Sequence, residues 1–250
     1  MLKTEREREV IEILRETGGF VSTGLLCERL FASASSVRRD LCSLEKEGIV
    51  RRVHGGAELC SGLSHVVGFP MRSHHNTEAK KAIAKKAAAL VNDGDVVFLD
   101  PSSTTYYLAE ELLLKNGLTV VTNSLEILSL MSRTSFTVLS SGGILSRENR
   151  TCFVGDEAAA AFSSVHADLL FFSSHSLSAD GTIWDVSREE VLVRHDMLKN
   201  AAKKYFLCDS EKFDTFSAYR QCALSEVDGL ICENESGQSF RDAFPHLAVW

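Results

Sequence analysis

Apolar positions along this chain fall into two regimes. In the first 57 residues they recur with a helical period. Val10, Ile13 and Leu14 repeat at i, i+3, i+4 inside a charged segment that ends at Gly18-Gly19, predicting an amphipathic helix with a glycine stop. In "FVSTGLLCERL", Ser22 is placed to cap a short second helix whose buried stripe is Leu25, Leu26 and Leu30. In "FASASSVRRDLCSLEKEG", Ser33 caps a third helix with Val37, Leu41 and Leu44 at i, i+4, i+7 and Gly48 as its stop. "GIVRRVHGGAEL" then turns strand-like: Ile49, Val50 and Val53 precede a Gly55-Gly56 turn. Helix, turn, helix and a two-stranded wing predict a winged helix-turn-helix over residues 1–57.

From residue 76 the pattern changes. Apolar runs of strand length occur at "VVFLD", "LTVVTNS", "FTVLSSGG", "DLLFFSSH", "KYFLCDS" and "VDGLICE". Helical patterns lie between them, among them "TEAKKAIAKKAAALV", "TTYYLAEELLLKNG", "SLEILSLMS", "GDEAAAAFSS" and "SREEVLVRHDMLKNAAKK". Alternation of this kind predicts an α/β domain over residues 76–250, built on a mostly parallel, doubly wound sheet covered on both faces. Residues 58–75 hold Gly62, Gly68, Pro70 and several Ser and His without periodicity, and read as a linker.

Composition changes this picture little. No apolar run approaches the roughly 20 residues that span a bilayer, and the charged start is unlike a signal peptide, so a cytoplasmic protein without membrane attachment is expected. The seven cysteines are odd in number and scattered, with no C-x-x-C pair, which argues for reduced thiols over a disulfide framework or a zinc site. His65, His74 and His75 have no carboxylate in register, so no metal is expected. Charge is more informative. Residues 1–57 carry ten Lys/Arg and nine Asp/Glu, a net +1, against −8 for the remainder. An acidic body with an arginine-dense head is compatible with nucleic-acid binding by the head.

The chemistry concentrates in two places. On the third helix Ser35 and Arg39 lie opposite the apolar stripe, with Ser36 and Arg38 on the flanks. Hydroxyls and guanidinium groups on the first turns of such a helix suit phosphates and base edges in a DNA major groove, although a solvated arginine face has the same pattern. Arg51 and Arg52 stand beside the wing tip, where phosphates or a protein partner could be met. In the body, polar clusters follow successive strands: Asp100 to Thr105, Thr122-Asn123-Ser124, Gly142-Gly143, and Asp209 to Lys212. Ligands of parallel sheets bind beyond these carboxyl ends. Lys212 can offer a point charge to an anion and Asp209 can accept from sugar hydroxyls. Helix capping alone is the competing account of Thr122-Asn123-Ser124.

The stretch "SSVRRDLCSLEKEGIVRRVHGGA" closely resembles the signature of the DeoR-type bacterial transcription regulators. Ser33, Arg38, Arg39, Asp40, Leu41, Leu44, Glu45, Gly48, Arg52, His54, Gly55, Gly56 and Ala57 match it, and Ser36 and Val37 are conservative departures. The resemblance implies that the head binds double-stranded operator DNA, with Ser35, Ser36, Arg38, Arg39, Arg51, Arg52 and His54 as contact residues. It continues through "KKAIAKKAA", "FLDPSSTT", "VVTNS", "SSGG", "FVG" and "FLCDSEKFD", in family order. It therefore implies a sensor domain of the ribose-5-phosphate isomerase-like type that responds to a phosphorylated sugar. Lys80, Asp100, Ser103, Thr104, Thr105, Thr122, Asn123, Gly142, Gly143, Asp209 and Lys212 stand on its effector motifs, with Ser102 in the same loop.

Three departures surround this rim. The family glycine after the first strand is Ser102, preceded by Pro101, and two family glycines after the fourth strand are Ser173 and Ser176. Glycine reaches positive φ at little steric cost and admits a phosphate close to the backbone. Either the site is retuned by serine hydroxyls, or effector binding is weakened. The leading expectation is a repressor of carbohydrate genes, without enzymatic activity or cofactor, acting as a homodimer or homotetramer. The alternatives are a sugar-phosphate isomerase with an accessory head, using Asp100, Asp209 or Glu211, and a ligand-independent DNA-binding protein.

Overall fold

The computed structural model describes residues 3–17, 20–46, 49–53, 55–59 and 68–250. The chain divides into two compact units, Met1–Gly68 and Phe69–Trp250.

The first unit runs α1 (Lys3–Glu16), β1 (Phe20–Ser22), α2 (Thr23–Arg29), α3 (Ala34–Lys46), β2 (Val50–Val53) and β3 (Gly56–Leu59). The expected stripes are the core: Val10, Ile13, Leu14, Leu26, Leu30, Val37, Leu41 and Leu44 are all buried. Leu25 is only half-buried. The Ser22 hydroxyl accepts from the Leu25 N–H, and the Ser33 hydroxyl accepts from the Ser36 N–H, so both caps form. The wing differs from expectation. It is a three-stranded antiparallel sheet of order β1-β3-β2, because Val21 pairs with Ala57. A three-residue strand is too short to display alternation, and its serine had already been assigned to a cap. Gly56 makes this pairing possible: a Cβ there would lie 2.2 Å from the Val21 carbonyl oxygen. The wing ends at Leu59, two residues beyond the expected boundary. Gly18, Gly19, Gly48 and His54 lie outside the described residues, as do residues 60–67 of the expected linker.

The second unit opens on α4 (Phe69–His74), inside that linker. Six residues are too few for a helical period to show, and Pro70 is tolerated in a first turn. There follow α5 (Thr77–Ala88), β4 (Val96–Leu99), α6 (Ser103–Leu112), β5 (Thr119–Thr122), α7 (Leu125–Met131) and β6 (Thr137–Ser140). Next come β7 (Ile144–Leu145), β8 (Phe153–Val154), α8 (Asp156–Ser163), β9 (Ala167–Phe172), β10 (Ser176–Leu177), β11 (Thr182–Asp185) and α9 (Arg188–Lys199). The unit closes with β12 (Ala201–Leu207), β13 (Tyr219–Ala223), β14 (Gly229–Ile231) and β15 (Ala248–Val249).

All six anticipated runs are strands of one parallel sheet, of order β15-β14-β12-β9-β4-β5-β6. β15, the β7–β8 hairpin and the small antiparallel sheet β10-β11-β13 are additions. Both faces of the large sheet are buried. Along β9, Leu169 and Phe171 pack with Ile83, Leu108 and Ile127 of α5, α6 and α7. Leu170 and Phe172 pack with Phe162 of α8 and Met197 of α9 on the other face. That explains why "DLLFFS" reads as a continuous apolar run.

The strand order sets the position of the site. From β4 the chain builds outward through β5 and β6, then returns to the far side of β4 with β9 and builds the other way. The switch point lies between β4 and β9, and the crevice beyond their carboxyl ends is where such sheets receive ligands. Among the described residues no helix is long and apolar enough to cross a membrane, and no group of three or more metal-binding side chains gathers.

Candidate functional site

Asp100 follows β4 at the switch point, fully buried. Its carboxylate accepts from the Ser102 N–H at 3.2 Å, the Thr105 hydroxyl at 3.0 Å, the Ser173 N–H at 3.2 Å and Arg194 Nε at 3.1 Å. Asp100 therefore ties the β4 loop to the β9 loop, and its charge is met by a buried arginine from α9. Arg194 also donates to Asp185 at 3.0 Å and Gln221 at 2.7 Å, with Glu190 at 3.7 Å. Burial pushes the Asp185 carboxyl up, but Arg194 and bonds from Ser174, Ser187 and Val186 outweigh it and hold Asp185 low. Burial and the neighbouring charge of Asp185 raise Glu190. Asp100, expected among the effector ligands, thus has both carboxylate oxygens engaged within the protein. Arg194, Asp185 and Glu190 were missed because they stand on α9 and β11, away from the loops after the central strands.

The serines that replace glycine introduce no strain. Among the described residues, positive φ outside glycine occurs only at Phe31, Asn76 and Asp214. Ser102 has φ −77° and caps α6, its hydroxyl accepting from the Thr105 N–H at 3.1 Å. Glycine would leave that N–H for an anion; Ser102 supplies an internal acceptor instead. The buried Thr104 hydroxyl has no hydrogen-bond partner. Ser173 Oγ and the Ser174 carbonyl accept from Lys212 Nζ, both at 2.9 Å. Buried Ser176 bonds the Ser217 hydroxyl at 2.9 Å, and Ser217 bonds His175 Nδ1 at 2.8 Å. The serine-rich loop thus positions Lys212 and His175. Burial and the charge of Lys212 lower the His175 pKa.

Lys80, on α5, is buried. Its ammonium donates to the backbone carbonyls of Arg72 and His75, the latter at 2.6 Å. Burial, together with the charges of Lys212 and Arg72, outweighs Asp209 and lowers the Lys80 pKa to about 7. Asp209 stands 3.5 Å from Lys212 and accepts from Asn76 Nδ2 at 3.3 Å. Burial raises its pKa, but Lys212 and Lys80 outweigh that and hold it low. The fourth member of the cluster escaped sequence reasoning. Arg72, on α4, packs its guanidinium carbon 5.9 Å from the Phe69 ring centroid, and its Nε and Nη2 are buried without a hydrogen-bond partner. A lone cation in an aperiodic stretch gives no signal of its own. Three cations act on one another here, and unsatisfied guanidinium nitrogens strongly favour an anion.

The Thr122 hydroxyl accepts from the Ser124 N–H at 3.0 Å, and Ser124 caps α7. Asn123 donates to the Phe153 carbonyl at 2.9 Å and leaves its buried Oδ1 unpartnered, an acceptor for a hydroxyl. Gly142 and Gly143 follow β6. Both have positive φ, and a Cβ on Gly143 would lie 2.7 Å from the Val154 carbonyl oxygen, so that glycine serves the packing of α8.

In the first unit α3 presents Ser35, Arg38 and Arg39 to solvent, with Ser36 half-buried beside them. Arg39 donates to the Ser35 carbonyl and the Ser36 hydroxyl at 3.3 and 3.4 Å, so the guanidinium lies along the first turns. Buried Asp40 accepts two bonds from Arg6 of α1, fixing α3 against the core. Arg52 pairs with Glu45 at 2.7 Å and Arg51 with Glu58 at 2.7 Å, so both wing arginines are engaged within the unit.

A helix-turn-helix with a basic, hydroxyl-rich third helix, followed by a parallel α/β domain with a cationic switch-point crevice, is the architecture of a ligand-responsive DNA-binding regulator. Residues 6–62 match the DeoR-like helix-turn-helix domain, and residues 75–234 match the DeoR C terminal sensor domain. The chain is 33% identical to the lactose phosphotransferase system repressor of Staphylococcus epidermidis, over 94% of this chain and 93% of that one. It is 32% identical to the uncharacterized HTH-type transcriptional regulator YgbI of Escherichia coli, over 94% and 91%. It is 31% identical to the HTH-type transcriptional regulator GolR of Listeria innocua, over 98% and 96%. Solved structures similar to it include eIF2B delta from Chaetomium thermophilum (TM-score 0.48, 20% identity, 65% of this chain and 58% of that). Another is a D-ribose-5-phosphate isomerase in complex with phospho-erythronic acid (TM-score 0.42, 17% identity, 55% of each chain). The chain belongs to the DeoR family of DNA-binding transcriptional regulators.

Proposed function

We propose that this regulator represses carbohydrate genes in the cytoplasm and releases its operator when a phosphorylated sugar occupies the crevice between β4 and β9. The observation that carries this reading is the guanidinium of Arg72, buried with two nitrogens lacking an acceptor, beside Lys80 and Lys212. A phosphate satisfies those donors, while Asn123 Oδ1 and the Thr104 hydroxyl suit sugar hydroxyls. A lactose phosphotransferase system repressor among the relatives favours the same class of genes and the same sign of regulation. The serine substitutions retune the site: Ser173 holds Lys212 and Ser102 competes for the α6 N–H groups, so a particular sugar shape is selected. Of the three carboxylates that an isomerase would use, Asp100 is committed to Arg194 and Asp209 to Lys212 and Asn76, while Glu211 is exposed, 3.4 Å from His75.

On the DNA side, Ser35, Ser36, Arg38 and Arg39 meet the operator, and Arg52 chiefly positions the wing through Glu45. Two-fold operators require at least two copies, so the working form is a homodimer or homotetramer. The test uses operator DNA selected from a random pool by the full-length protein. A panel of sugar phosphates and the matching free sugars is titrated by calorimetry and in an operator-release assay. One phosphorylated sugar is expected to bind and release DNA while its free sugar does neither. Flat heats across the panel would sink the proposal.

A further inference from the structure

α4 is the first element of the body after the head, and its backbone is held by the anion site itself. Lys80 Nζ donates to the Arg72 and His75 carbonyls, Ser103 Oγ donates to the Arg72 carbonyl at 3.2 Å, and the Tyr107 hydroxyl donates to the Ser73 carbonyl at 2.9 Å. At its far end Asn76 has φ 49°, the left-handed region, and its side chain bonds Asp209 of the cluster. From Arg72 to Asn76 the segment is therefore fastened to residues in and beside the site, and it delivers into that site two buried guanidinium nitrogens without a hydrogen-bond partner.

We propose that Phe69–Asn76 is the element through which an anion in the crevice acts on the head, with Arg72 gripping the anion, Tyr107 positioning the segment and Asn76 as its pivot. The inference rests on the reading of the crevice as an anion site. Its logic is differential contact: a ligand shifts an equilibrium only by binding one arrangement better than another. Lys212 and Thr104 belong to the frame of the body and meet the anion whatever α4 does. Arg72 travels with α4, so its contact exists only when the segment is drawn in. Without an anion, Arg72 stands against the charges of Lys80 and Lys212, which favours letting the segment out. With one, repulsion becomes bridging, and the segment joined to the head is locked.

The experiment uses full-length protein with inorganic phosphate and ribose 5-phosphate as probes. Calorimetry reports binding, amide hydrogen exchange reports the segment, and the operator-release assay reports the response. Binding is expected to slow exchange at residues 69–76 at least tenfold. Tyr107→Phe, which removes one hydrogen bond to the drawn-in segment, weakens anion binding about fivefold and raises the anion needed for release in the same proportion. Arg72→Gln at saturating anion binds without protecting 69–76 and without releasing DNA. A residue that merely added affinity would still release at saturation. Full release by saturated Arg72→Gln, or binding with unchanged exchange at 69–76, would overturn this inference and leave the anion site standing. Absence of heat with both probes and across the sugar-phosphate panel would remove both.

Discussion

Lys80 donates its ammonium to two backbone carbonyls while standing under the charges of Lys212 and Arg72. Burial first, then those cations, lowers its pKa from 10.5 to about 7. Between about 7 and 10.5 the unfolded chain holds a proton on this lysine that the folded chain does not, so its contribution to stability rises with pH across that window. An anion reverses the balance: it favours the ammonium, so binding above pH 7 draws a proton onto Lys80. A sugar phosphate is already a dianion there, its second pKa being about 6. Affinity is therefore expected to fall by up to about tenfold per pH unit above 7, with proton uptake visible as buffer-dependent heat. Affinity unchanged between pH 7 and 8.5 would contradict the assignment of Lys80 as the titrating group. At this scale the site was half legible. Lys80, Thr104, Asn123, Asp209 and Lys212 carry signals in their position after strands or in motif resemblance. Arg72 and Arg194 carry none, because what makes them important is what they are buried against.

The turn between α2 and α3 sets how the third helix is presented, and it contains a residue out of place. Phe31 has φ 48° and is 98% exposed, so it occupies a left-handed position without burying its ring. That conformation costs an L-residue roughly 1–2 kcal/mol, and glycine recovers it at an entropic loss of roughly 0.5–1 kcal/mol. Phe31→Gly is expected to stabilise the head by about 0.5–1 kcal/mol, read as slower amide exchange in α2 and α3 of the full-length protein. Faster exchange there would mean that the ring contributes more than its exposure suggests. Among elements, legibility followed length. α1 and α3 had enough residues to show a period, and the six anticipated strands announced themselves as apolar runs. β1, α4, β7, β8, β10 and β15 have two to six residues and owe their form to partners.

Across the whole molecule, charge is divided between a head of +1 and a remainder of −8. Operator binding therefore rests on a local cationic face. With Arg51 and Arg52 paired to Glu58 and Glu45, Arg38 and Arg39 are left on α3 without a carboxylate partner among the described residues. If two copies each neutralise two phosphates through them, Arg38→Ala with Arg39→Ala flattens the log–log salt slope of operator binding by about 3.5, at about 0.9 per phosphate. An unchanged slope would move the phosphate contacts elsewhere. The sequence by itself determined the division into head and body, the helical and strand periods and the motifs that announce DNA and anion chemistry, because each of these is local and repeats along the chain. Only the tertiary structure decided how the charges are spent. Strand order brings the β4 and β9 loops together, α9 threads Arg194 beneath them, and α4 folds back to set Arg72 beside Lys80. Burial then fixes which carboxylate is a brace and which cations still call for an anion.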